Sequence, residues 1–202
     1  MFFGNKIIEQ LKPYLRYLVD DIVLSASLKE NDKNSEIICE MLDMLTRLTT
    51  KITVSKTTLS RSPSIAIDKK IGDSSGVVFS AVPAGHEFTS FILAILHVSG
   101  HKPKIDNHLI EKIKKIDTDL DFVTYVNVSC HNCPEVVQLL NMMAALNLRI
   151  KHTVVDGALF LDEVNTKGIE SIPAVYLNSN KFSFGAISLE EILRKIAITT
   201  LE

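Results

Sequence analysis

Cys130 and Cys133 are separated by His131 and Asn132 and followed by Pro134. Two thiols at this spacing close a small disulfide ring, so the pair can cycle between dithiol and disulfide. A strand-like run, Phe122 to Val128, leads into the motif, and a helix-like run, Glu135 to Leu146, leads out. At such a junction the first sulfur meets the positive end of a helix, which favours its thiolate. Cys130 is therefore the expected nucleophile: exposed, attacking a partner disulfide and forming a mixed disulfide. Cys133 is expected one turn inside the helix, more buried, where it resolves the mixed disulfide by attacking Cys130. Pro134 suits a first helical turn, where a missing N–H matters little. His131, when protonated, would stabilise the thiolate; as a solvent-exposed spacer it would do nothing, and spacing alone leaves both readings open. A structural zinc site would want a second ligand pair of similar spacing. His131 and His152 sit in no such pattern, so no metal is expected.

Three further positions bear on this chemistry. Ile172-Pro173 opens a strand after a loop, a setting that often carries a cis bond. In redox folds of this kind such a proline lies beside the dithiol and leaves the backbone before it, here Ile172, free to pair with a partner's extended segment. The plainer reading is an ordinary edge-strand proline. Glu87 heads a helix-like run, where a glutamate most often compensates the helix dipole. Cys39 falls within an apolar helix pattern and reads as a buried structural thiol. Met142, Met143, Phe88 and Phe91 read as core.

The elements that position these residues repeat. In the second half a helix (106–116) precedes the strand and helix around the motif. A strand (150–155), a short helical region (159–164), a proline-opened strand (171–177), a short strand (181–185) and a closing helix (188–196) follow, the last with Ser188 and Glu191 placed as a capping box. The first half has the same order: helix 7–19, strand 22–28, helix 35–48, strand 51–55, strands over 62–67 and 77–79, and helix 86–98. Ser62-Pro63 answers Ile172-Pro173. Glycine and proline punctuate the join near Ser99 to Pro103. We therefore expect a tandem repeat, 1–101 and 102–202. Each unit is a βαβ followed by a hairpin and a helix, which gives an α/β fold with mixed sheets and helices on both faces. The first unit has Lys29 to Asn34 where the second has its cysteine pair, so only the second is equipped for dithiol chemistry. Pro13 should kink or split the first helix.

Composition excludes several classes. The chain has 202 residues, 46% hydrophobic, with a formal net charge of −2. Nothing here argues for nucleic acid, and no apolar run approaches the roughly 20 residues of a membrane span. Three cysteines, two of them in one motif, are not a secreted disulfide scaffold, and the start is no signal peptide, so a cytoplasmic protein is expected.

On Gly85-His86-Glu87-Phe88-Thr89-Ser90, Ser129-Cys130-His131-Asn132-Cys133-Pro134, Arg149 to Thr153, Asp156-Gly157 and Pro173-Ala174-Val175, the chain resembles the N-terminal domain of a known family, the flavoprotein (F) component of alkyl hydroperoxide reductase. The resemblance implies two contiguous thioredoxin-like units, the first having lost its cysteine pair. It implies that NADH reduces FAD in a downstream flavoprotein part, whose dithiol reduces the disulfide matching Cys130–Cys133. That pair would then reduce a peroxiredoxin, the peroxidase (C) component of alkyl hydroperoxide reductase, which removes hydroperoxides. It also implies that Glu87, from the first unit, lies near the dithiol and helps manage its protons. The family protein continues for hundreds of residues, whereas this sequence stops at Glu202 and has no Gly-x-Gly-x-x-Gly fingerprint, so neither FAD nor NADH is expected in this chain. Two other functions stay open. One is a stand-alone glutaredoxin-like disulfide reductase. The other is a docking module in which the dithiol is incidental.

Overall fold

The first half begins with α1 (Asn5–Leu15), which buries Leu11 and Leu15. Pro13 lies in its last turn, and the helix stops at Leu15 instead of reaching Val19. Proline removes an N–H and crowds the preceding turn, so it is tolerated only close to where the helix gives way. β1 (Ile22–Ser27), α2 (Lys33–Leu48), β2 (Ile52–Lys56), β3 (Ser64–Lys69), β4 (Val77–Ser80) and α3 (Glu87–Val98) follow. The second half comprises α4 (Asn107–Lys114), β5 (Leu120–Val126), α5 (Cys133–Leu146), β6 (Ile150–Asp156), α6 (Leu161–Lys167), β7 (Ala174–Leu177), β8 (Asn180–Phe184) and α7 (Leu189–Thr199). This computed structural model describes residues 4–127 and 129–199. The expected end of the lead-in strand, Val128, lies outside the described residues.

The eight strands form one sheet in the order β2-β1-β3-β4-β6-β5-β7-β8. Within each half the first strand pairs in parallel with the second and antiparallel with the third, and the fourth closes a hairpin. The two halves meet where β4 pairs in parallel with β6, Val77 opposite His152 and Phe79 opposite Val154. Gly76 makes that approach possible. Its φ is +73°, and a Cβ there would sit 2.9 Å from the Lys151 Cγ and 3.1 Å from the Lys151 Cα. Its carbonyl accepts the His152 N–H at 2.9 Å.

One apolar core runs beneath both halves. It includes Leu24, Ile38, Ile65, Phe79 and Phe91 from the first and Phe122, Val137, Leu140 and Ile192 from the second. Met142 and Met143 are buried in it and Phe88 packs against it, as expected. The seam also holds a buried polar group. His152 is hydrogen-bonded through Nε2 to the Thr124 hydroxyl (2.8 Å) and through Nδ1 to the Asn141 Oδ1 (2.7 Å). Burial pulls its pKa down to about 3, which keeps the ring neutral. A second tie crosses the halves at the surface. The Arg61 guanidinium donates to both oxygens of Glu163 on α6 (2.8 and 2.9 Å), and the Tyr125 hydroxyl donates to the same carboxylate (2.8 Å).

Cys39 is not buried. It lies on the exposed side of α2. The buried residues of that helix are Ser35, Ile38, Met41, Leu42 and Leu45, a stripe at helical spacing that leaves position 39 outside it. Among the described residues, no helix is long and apolar enough to cross a membrane.

Candidate active site: a disulfide at the start of α5

The strands β1, β4, β5 and β6 all end at one side of the sheet, and the helices that follow β4 and β5 start there. Cys130 and Cys133 lie at that side, joined as a disulfide with Cα atoms 5.5 Å apart. The loop that carries them is organised by Asn127. Its side-chain oxygen accepts from the Ser129 N–H and hydroxyl, and its carbonyl accepts from the Cys130 N–H at 2.9 Å.

Cys133 is fully buried, as expected, but it is the first residue of α5 and not one turn inside it. The helix starts two residues earlier than its apolar pattern indicates, because Pro134 occupies its first turn. Cys130 is half-buried and packs against the core, so it is less exposed than the spacing alone implied. Among the described residues no side chain caps α5. Its first N–H groups and the positive end of its dipole are left facing the sulfurs.

Glu87 comes to this place from the other half. It is the first residue of α3, only 1% exposed, and among the described residues neither carboxylate oxygen has a hydrogen-bond partner. Burial pushes its carboxyl up to about 7, with the Ser90 hydroxyl pulling in the opposite direction. Two contacts between the α3 region and the α5 region bracket it. The rings of His86 and His131 lie 4.4 Å apart, and the Gln138 amide donates to the Ser90 hydroxyl oxygen at 3.2 Å. The helices thus run side by side in the same direction, with Glu87 alongside the turn of α5 that opens on Cys133. A glutamate that only compensated a dipole would sit in water, and this one does not.

His131 and His86 are both exposed. Pro173 is buried and Ile172 exposed, and both Ser62-Pro63 and Ile172-Pro173 are cis. The Pro173 carbonyl accepts from the Gly185 N–H. His86, Ser90 and Gln138 were not singled out from the sequence as site residues. The signal for the first two was there: they flank Glu87 at one and three residues, a helical neighbourhood. Gln138 carried no signal, because only the packing of α5 on α3 brings it there.

The thioredoxin domain family matches residues 123–197. The crystal structure of the N-terminal domain of alkylhydroperoxide reductase AhpF from Enterococcus faecalis superposes with a TM-score of 0.88 at 25% identity, covering 95% of this chain and 98% of that one. Fold, disulfide and relatives together define a thiol–disulfide oxidoreductase of thioredoxin-like fold. More particularly, the chain is a thioredoxin-like domain of the AhpF N-terminal type. It is 46% identical to the alkyl hydroperoxide reductase F protein of Pseudomonas aeruginosa over 93% of its own length and 36% of that protein's. A Bacillus subtilis protein named NADH dehydrogenase is 43% identical over 99% of this chain and 39% of its own length. The chain therefore spans well under half the length of these curated relatives.

Proposed function

We propose that this chain carries electrons from a flavoprotein dithiol to the disulfide of a peroxiredoxin in hydroperoxide removal, in the cytoplasm. Units 1–101 and 102–202 would divide the work, the first supporting and the second reacting. FAD and NADH would belong to a flavoprotein part outside these residues. The observation that carries the reading is a buried Cys133 and a more accessible Cys130 at an uncapped helix start, beside a buried carboxylate, in a chain similar throughout to AhpF.

The chemistry follows from those positions. The reduced Cys130, as thiolate, attacks one sulfur of the partner disulfide. A Cys130–partner S–S bond forms, and the electron pair of the broken bond leaves on the other partner sulfur. Glu87, as carboxylate, takes the proton from Cys133 Sγ. The Cys133 thiolate attacks Cys130 Sγ, the internal S–S bond forms, and the partner leaves as a thiolate that is protonated by solvent. His131 would favour the Cys130 thiolate when protonated. Ile172, just before Pro173, is exposed, its own N–H and C=O make no main-chain hydrogen bond among the described residues, and an extended partner segment would pair there.

The test mixes the reduced chain with an oxidised two-cysteine peroxiredoxin and follows thiol loss by stopped flow. Fast oxidation of one Cys130/Cys133 pair per transfer is expected. Transfer no faster than with a generic dithiol, together with glutathione-dependent turnover, would move the assignment to a glutaredoxin-like reductase.

A further inference from the structure

Glu87 must become charged where it is buried and, among the described residues, has no hydrogen-bond partner, and this needs a donor that is already in position. Ser90 lies one helical turn further along α3, fully buried. A serine inside a helix usually turns its hydroxyl back onto a carbonyl four residues earlier. Ser90 makes no such bond among the described residues. Its oxygen instead accepts the Gln138 amide from α5.

We infer that Ser90 and Gln138, one from each half, are positioning residues for Glu87: Gln138 holds the Ser90 oxygen from the α5 side and leaves the Ser90 O–H to turn onto the Glu87 carboxylate when it takes the proton from Cys133. This rests on Glu87 being the base for Cys133. Geometry gives the direction of the bond. An amide N–H can only donate, so the one proton of Ser90 is free for an acceptor, and Glu87 is an unpaired buried acceptor on the same face. The hydroxyl already opposes the upward push that burial exerts on Glu87.

Few other groups compete. Just ahead of α3 the neighbouring titratable group is His86. From the dithiol loop and α5 they are Cys130, His131, Cys133 and Glu135. β3 packs on α3 through Ile65 and Ile67, while its charged Asp68 and Lys69 stand at the far end of the strand. None of these contributes to the displacement of the Glu87 carboxyl.

The test uses the reduced 202-residue chain with an equimolar aromatic disulfide, dithiobis-nitrobenzoate. Attack by Cys130 releases one coloured thiolate, and resolution by Cys133 releases the second. With Glu87 as base, the second phase in the parent chain rises with pH through a midpoint near 7, the first phase serving as internal reference. Ser90→Ala should move that midpoint upward by about one pH unit. Ser90→Thr, which keeps the hydroxyl, should restore it, and Gln138→Leu should give a smaller shift in the same direction. Difference infrared titration of the Glu87 carboxyl in the oxidised chain should show the same order without any turnover. If Glu87→Gln changes the second phase while Ser90→Ala leaves both readouts at parent values, this inference alone is overturned. If Glu87→Gln leaves the second phase unchanged, the base reading falls and takes this inference with it.

Discussion

The β1–α2 and β5–α5 junctions occupy equivalent places in the two halves and treat their helix starts in opposite ways. At α2, Asp32 caps the helix, its carboxylate accepting from the Ser35 N–H (2.8 Å) and hydroxyl (2.7 Å). The Ser35 hydroxyl bond leads the causes that hold its carboxyl below the ordinary range. At α5 no side chain caps the helix, and a sulfur pair stands in front of it. The first half neutralises the positive end of its helix, and the second leaves it available to an anion that forms only during reaction. In the proposed mechanism reactivity depends as much on the uncapped helix start as on the cysteines.

The sharpest way to break the comparison is to remove the sulfur. Cys130→Ser or Cys133→Ser should abolish repeated turnover on a disulfide substrate while circular dichroism remains that of the parent. Sustained turnover by Cys133→Ser would rule out the two-cysteine mechanism.

Next comes the carboxylate that the first half lends to the second. Its pKa near 7 lies above the 4.5 of an unburied glutamate. Between those values the folded chain holds a proton that the unfolded chain has lost, so stability falls as pH rises from about 4.5 to 7. Glu87→Gln should remove that fall and make the protein more stable above pH 7 by on the order of 3 kcal/mol, with the difference vanishing in acid. Denaturant titrations at two pH values measure it. His152 works in the opposite sense. Its pKa is depressed from 6.5 to about 3, so the stability it contributes is present above 6.5 and is lost as pH falls towards 3.

A smaller effect tests the tie between halves. Arg61→Ala removes two hydrogen bonds to Glu163 and should lower stability by about 1–2 kcal/mol. Unfolding should stay a single transition, since the β4–β6 seam remains. Two separated transitions would mean that Arg61 and not the sheet couples the halves. Smallest is a transplanted cap. Asn132→Asp places a carboxylate at the start of α5, in imitation of Asp32, and should slow alkylation of Cys130 a few-fold by competing with its thiolate for the helix end. An unchanged rate would show that the helix end does not act on the sulfur.

The order of elements was legible because period and punctuation agree over most of the chain. Strands such as β6 and helices such as α2 lie within two residues of their apolar runs. The cysteine pair was legible from spacing. The burial of Glu87 was not, because a glutamate at a helix start looks the same in sequence whether it meets solvent or another helix. The misplacement of Cys39 has a similar origin. An apolar run in α2 hides which of its faces is inward, and one step of about 100° separates Ile38 from Cys39. Cys133 was expected one turn inside a helix whose apolar run opens at Glu135, whereas Pro134 in the first turn makes Cys133 itself the first residue of α5.

The joining of β4 to β6 has a consequence for how the protein behaves in a crowded solution. Two separate sheets would present four open edges, among them the apolar row of Val77 and Phe79 and that of Val154, where another chain could add a strand. Fusion leaves β2 and β8 as the outer strands of the described sheet. β8 opens on Asn180 and Lys181, and its ladder with β7 is interrupted at Val175/Tyr176. Short, charged and irregular borders resist strand addition. The joining of the halves thus removes two of the four edges at which another chain could add a strand.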